Sequence, residues 1–395
     1  MHSEVRFERP LPRWVMVPAM VYVTVISYLI RSSVPPVLPL IMEEFRITGA
    51  LGGLLITAVT IPCIFLPIIG GMLADKYGMK LVGKISLLLL ILGSLVMGLT
   101  PSYLLALAGR FLIGLGIAVI PVITFSIIAA SFSLNEMGKA IGLRSTSTPI
   151  SLALSFPIFS SVGVAYGWRA CLFLAAFLGI TSLMVFWTVT GKMPSQSLEG
   201  NRSGRSLNFS QVLFNIELWK LGIVWSFTSM AFDTIQVWGP TLFVKFKGLD
   251  LIQASLISML VIAMLIPASP FFGWISDRFK RRKIIFLTGL TIATITYPLI
   301  SYVKGLELAF IAVIIGIATS PIPVLTYVLT PEIVDKHLIA TGYGFILSLL
   351  NIGSAAASPL IGYIYDLTSN LTTIILVPII TSITALITAL TLKIK

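Results

Sequence analysis

The sequence predicts an all-α polytopic membrane protein, with twelve transmembrane helices in two pseudo-symmetric six-helix bundles. Three observations carry this expectation: apolar runs of spanning length, basic residues on alternate loops, and a motif set that recurs 201–202 residues later. Of 395 residues, 57% are hydrophobic and 11% charged, and the mean hydropathy is +1.01. An average soluble domain carries about 25% charged residues. A run of about 20 apolar residues is long enough to cross a bilayer as a helix. The short alternating segments of a β-barrel are absent.

Apolar runs and breakers place the spans near 14–40, 50–73, 80–99, 102–130, 139–164, 170–190, 219–244, 252–273, 284–303, 306–328, 339–363 and 371–392. The longest polar stretch lies between the sixth and seventh. It divides the chain into an N-terminal bundle (1–190), a cytoplasmic linker (191–216) and a C-terminal bundle (217–395). With both termini in the cytoplasm, 19 Lys and Arg fall on the inner side and five on the outer side. That asymmetry is the positive-inside pattern, so a multi-pass protein of the cell membrane with cytoplasmic termini is expected. The net charge of +12 is thereby explained by topology, and no nucleic-acid partner is expected. The opening MHSEVRFERPLPR reads as a cytoplasmic tail, since its charge and proline do not suit a cleavable signal.

The halves repeat. GGMLADKYGMK (70–80) answers FGWISDRFKRR (272–282), and Asp75 and Asp277 are 202 apart. Pro39 and Pro240 close spans one and seven, and GLGIAVIP (114–121) answers IGIATSPIP (315–323). Halves repeated in this way are a transporter architecture.

Gly71-Met-Leu-Ala-Asp75-Lys76-Tyr-Gly78-Met-Lys80 resembles the loop signature of the major facilitator superfamily, G-x-L-A-D-R/K-x-G-R/K-R/K, and departs only at Met79. Gly273, Asp277 and Arg278 sit in its counterpart between spans eight and nine. Arg110-Phe-Leu-Ile-Gly114-Leu-Gly116 resembles the family's fourth-helix motif, and GWRACLF (167–173) the turn into helix six. The resemblance covers essentially the whole chain. It implies the major facilitator fold, alternating access, and a conformational latch built from Gly71, Asp75, Lys76, Gly78, Lys80, Gly273, Asp277 and Arg278. That latch would hold the bundles together in the outward-facing state. A plain positive-inside loop accounts for the basic residues but not for the Gly and Asp spacing.

Once loops are assigned, few charges remain inside the bilayer: Arg31, Arg110 and Arg144, and among acids Asp233 in AFDTIQVWGP (231–240). A charge at a helix centre costs roughly 2.5–3.5 kcal/mol even on a lenient insertion scale, so such residues face a cavity or a partner. Subtracting the 201-residue offset places Asp233 beside Arg31 (at position 32), so the pair is expected to face each other across the pathway. Either they form the substrate and proton-coupling site, or they are a permanent salt bridge. The resemblance of the fourth-helix motif implies that Arg110 either serves proton coupling or hydrogen-bonds neighbouring backbone, and Arg110 and Arg144 are also candidate substrate contacts. The long stem of Arg144 is expected to reach the inner surface. Tyr28 lies one turn from Arg31 and Gln236 one turn from Asp233. Asn351 either lines the cavity or bonds another helix. The expected substrate-binding residues are thus Arg31, Tyr28, Arg110, Gln236 and Asn351, with Asp233 carrying the proton.

Three embedded arginines against one acid favour a small, carboxylate-like anion. YLIRSSVPPVLPLI (28–41) resembles the first helix of organic-anion and cyanate-type symporters. It departs in carrying Ile30 where those carry an acid, and Ile117 and Ala118 stand where a fourth-helix acid is usual. A proton-coupled multidrug or metabolite efflux antiporter is the alternative, weakened by the lack of a Gly-Pro pair around Pro149 in span five. An enzyme needs clustered acid–base or metal groups. One embedded Asp and two histidines, His2 and His337, outside the spans do not supply them. No metal and no cofactor are expected. Cys63 and Cys171 read as packing thiols. The expected partners are a small-molecule substrate, protons and the lipid bilayer, and the protein is expected to be a monomer.

Overall fold

The structure is a computed structural model that describes residues 13–131, 143–144, 146–191, 211, 213–279, 281–334 and 339–393; within them every regular element is helical. Most of the predicted linker 191–216 lies outside the described residues. So do Lys139, Lys336, His2, His337 and the side chains of Asp75 and Asp277.

Among the described residues, eleven helices or helix pairs are long and apolar enough to cross a membrane. The seventh expected crossing, Ile216–Gln236 continued by Gly239–Lys247, is the exception. It carries Glu217, Lys220 and Asp233, so its mean hydropathy falls below that of the others. The spans most used below are the first (Arg13–Arg31, then Leu38–Phe45), second (Gly49–Thr60 and Pro62–Tyr77) and fourth (Tyr103–Ser131). The fifth is Ser147–Tyr166, the eighth begins with Leu251–Ala263, and the eleventh is Ile339–Thr368.

Proline explains the breaks that matter. Helix one ends at Arg31, four residues before Pro35, and the first helix of span seven ends at Gln236, four residues before Pro240. Proline has no N–H for the i−4 carbonyl. The carbonyls of Arg31 and Gln236 therefore lose their usual helical donor, and each helix stops with a candidate site residue at its end.

The repeat shows in the caps as well. Spans one and seven end at left-handed residues 202 apart, Arg46 (φ 52°) and Gly248 (φ 69°). Two residues on, Thr48 and Asp250 cap the next helices, accepting from Leu51 N–H at 3.3 Å and Gln253 N–H at 2.8 Å. Gly167 (φ 81°) and Ser369 (φ 44°) keep the same offset.

At the end formed by residues 46–48, 248–250 and 369–370, called the loop end below, the halves meet along two seams. Span two packs on span eleven, and the first helix of span eight packs on span five. The first seam is polar and close. Thr57 Oγ1 donates to Ala355 O at 2.7 Å, Asn351 Nδ2 to Cys63 O at 3.4 Å, and Ser348 Oγ to Ile64 O at 3.2 Å. Small residues permit the approach: a Cβ on Gly53 would lie 2.8 Å from Pro359 Cα, so this crossing is incompatible with a larger side chain.

Candidate functional site

Between the halves lies a cavity of about 580 Å³. Its wall includes Tyr28, Arg31, Ser32 and Arg110 from the first half and Phe232, Asp233, Gln236, Asn351 and Ser354 from the second. It stops short of the loop end and extends toward the opposite end, where Ile68 in its wall is 59% exposed and a Cβ on Gly344 would meet nothing within 4 Å.

Arg31 is held by its backbone and left open at its head. It is the last residue of its helix, where the negative end of the dipole favours a cation. Its orphaned carbonyl is taken by Arg110, whose Nη1 donates to Arg31 O at 3.1 Å and whose Nε donates to Leu55 O at 3.1 Å. The Arg31 guanidinium lies 6.0 Å from the Tyr28 ring centroid and has no hydrogen-bond or ion-pair partner among the described residues. A cation so placed, in a water-accessible cavity, is available to a bound anion.

Asp233 faces the same space from the other half. Its Oδ2 accepts from Ser354 Oγ at 2.5 Å. It makes no ion pair with Arg31: the two charges share the cavity without touching, so they do not form a permanent salt bridge in this state. Gln236 lines the wall one turn beyond Asp233. Asn351 also lines it, with its amide turned to Leu347 O at 2.9 Å and to Cys63 O across the seam.

Arg110 and Arg144 differ from Arg31. Arg110 is 2% exposed and fastens spans one, two and four through backbone carbonyls. Arg144 does not reach the surface along its stem as expected. It is buried, donates from Nε and Nη2 to Thr124 Oγ1 at 3.2 and 2.9 Å, and stacks 3.7 Å over the Phe125 ring. Hydrogen bonds and an aromatic face replace water as its solvation.

Sequence reasoning misses Ser354 and an aromatic group beside the cavity, of which Trp225 lines the wall. There Trp225 and Tyr327 meet edge to face at 5.3 Å, and Tyr343 OH donates to Tyr327 O at 2.8 Å. The spacing of Asn351 and Ser354 on one helix face is the only signal that could have found Ser354. The loop-motif residues lie away from the cavity charges. Helix Pro62–Tyr77 stops at Gly78, whose φ of +89° favours glycine. Lys76 and Arg278 are exposed, resting near Tyr77 and Trp274 on their own helices. Cys63 and Cys171 are free and buried.

The model for the Major Facilitator Superfamily matches residues 20–357 and again 248–395. The chain belongs to that superfamily. This major facilitator protein is 20% identical over 365 residues to the hexuronate transporter of Bacillus subtilis (strain 168), covering 88% of this chain and 86% of that protein. It is 26% identical over 276 residues to the probable sulfoacetate transporter of Cupriavidus necator, covering 65% and 63%. Among solved structures it resembles an inward-facing, unoccupied bacterial homologue of the human lysosomal transporter Spinster (17% identity, 99% and 95% covered, TM-score 0.76). It also resembles a peptide transporter in complex with sulfate (13% identity, 96% and 93% covered, TM-score 0.77). These likenesses establish a membrane transporter rather than an enzyme.

Proposed function

We propose that this superfamily member is a proton-coupled secondary transporter of a small organic anion, with Arg31 reading the negative charge. The observation that carries this reading is the Arg31 guanidinium in the cavity wall, which has no hydrogen-bond or ion-pair partner among the described residues. The hexuronate and sulfoacetate transporters, similar over most of this chain, are named for solutes that are anions at neutral pH, which supports the charge class. Anion binding at Arg31 withdraws the nearest embedded cation from Asp233, which favours protonation of that carboxylate. Anion and proton then cross together. With both termini cytoplasmic in the cell membrane, the cavity in this state opens inward. The loop residues Gly71, Asp75, Lys76, Gly78, Lys80, Gly273, Asp277 and Arg278 act as the latch of the opposite state, joining bundles 1–190 and 217–395. The transporter works as a monomer.

Thermal stabilisation by a ligand panel tests the charge class. A ligand that binds only the folded state adds about 2.7 kcal/mol at 100 times its Kd. Carboxylates and sulfonates are expected to raise Tm, while sugars leave it unchanged. Stabilisation by lipophilic cations alone, lost in Asp233→Asn, would replace this reading with efflux.

Proton coupling has its own prediction. In proteoliposomes, anion uptake by the wild type is expected to rise with an imposed proton gradient. Asp233→Asn is expected to keep anion binding and lose that response. A full response in Asp233→Asn removes the carboxylate from the coupling mechanism.

A further inference from the structure

We propose that Asp366 holds the loop end shut by capping a helix that belongs to the other half of the transporter. Its Oδ1 accepts from Gly49 N–H at 2.6 Å and its Oδ2 from Ala50 N–H at 2.8 Å. These are the first two residues of Gly49–Thr60. The first N–H groups of a helix have no partner within it. Thr48, the helix's own cap, serves Leu51 with its hydroxyl and Gly52 with its carbonyl, the latter at 2.9 Å. Asp366 fills the two positions that Thr48 leaves open.

The electrostatics favour this placement. Asp366 lies in the last turn of Ile339–Thr368, whose negative end disfavours a carboxylate. Across the seam it meets the positive end of a different helix, which reverses the sign. The contact exists only while the two backbones touch: a Cβ on Gly49 would stand 2.8 Å from Gly362 O. Separation of the halves at this end breaks both hydrogen bonds at once.

The device stands on one seam only. Counting 202 residues back from Asp366 gives Val164, and 202 on from Gly49 gives Leu251, so the seam of spans five and eight has apolar residues at these positions. Asp366 therefore adds a charged cap to the seam that already carries the Thr57, Asn351 and Ser348 hydrogen bonds, and the positions related to it by the repeat lack one. This inference concerns the transport cycle and holds whatever solute the cavity takes.

The test is a distance measurement by pulsed electron paramagnetic resonance. Spin labels go on Glu43→Cys and Leu367→Cys, both exposed, in the full chain, with the buried native cysteines retained. The parent is expected to give one short distance. Asp366→Ala is expected to raise the population with longer distances about fivefold, the shift that one charge at a helix end supplies. Asp366→Asn falls between the two, since an amide oxygen accepts without charge. Thr48→Ala weakens the same helix start without touching the cross-half bonds, so it lowers Tm and leaves the distances in place. An unchanged distribution in Asp366→Ala overturns the proposal, and so does equal opening in Thr48→Ala. If Asp366→Ala does not fold, hydrogen exchange of Gly49 and Ala50 in the parent decides. Protection stronger than that of the Gly248–Leu251 turn supports the latch, and none overturns it.

Discussion

Arg31→Gln is expected to weaken binding of the best stabilising carboxylate by about 100-fold or more, within the range found when one partner of a buried charge pair is truncated. The variant should fold, because the Arg31 side chain has no hydrogen-bond or ion-pair partner among the described residues, only the Tyr28 ring at 6.0 Å, and its structural hydrogen bond is made by its backbone carbonyl. An unchanged apo Tm with no anion-dependent shift is the expected pattern. Arg31→Lys keeps the charge and loses the planar fork, so partial retention is expected, with a loss of roughly tenfold for a carboxylate that Arg grips through two bonds. Titration of the Tm shift against anion concentration measures all three proteins. Full anion stabilisation of Arg31→Gln would move the site elsewhere in the cavity.

Arg110→Lys is expected to cost stability before it costs anything else. Two backbone carbonyls, Leu55 O and Arg31 O, depend on the Arg110 fork, and a compact ammonium cannot serve both. Leaving one buried acceptor unsatisfied costs about 1–3 kcal/mol. With about 2.1 cal/mol/K of unfolding entropy per residue over 395 residues, a fall in apo Tm of about 1–4 °C is therefore expected. Because the lost bond holds the end of helix one, anion binding should also weaken, to an extent that Arg31 accounts for. In the double variant Arg31→Gln with Arg110→Lys, no further loss of binding is expected. An Arg110→Lys protein with parental Tm and abolished binding would make Arg110 a direct substrate contact.

Much of the fold is legible in the sequence, for local reasons. Apolar length gives the spans, proline four residues after Arg31 and Gln236 gives their breaks, and the 202-residue offset gives the repeat. Those signals depend on backbone hydrogen bonding and bilayer thickness alone. The seventh span is the weakest of the apolar runs because it carries Glu217, Lys220 and Asp233, and Asp233 lines the cavity rather than facing lipid.

The candidate site is legible only as an inventory of charges. The sequence singles out Arg31, Arg110, Arg144 and Asp233 because each is anomalous in its own segment. It cannot rank them, since rank depends on what each side chain meets. Packing gave Arg110 two carbonyls and Arg144 a hydroxyl and a ring, and it left Arg31 open. Ser354 on Asp233 and Asp366 on Gly49 and Ala50 join residues more than 100 positions apart. No local pattern encodes such pairs, because they exist only where one half touches another element or the other half. By itself the sequence determined that this chain is a many-spanning helical membrane protein, where its helices break and which charges interrupt its apolar runs. The tertiary structure decided which of those charges are solvated by protein, which guanidinium is left open in the cavity, and which end of the molecule is shut. The physical reason is that hydropathy and proline act along the chain, whereas the solvation of a buried charge is set by neighbours that only folding brings near.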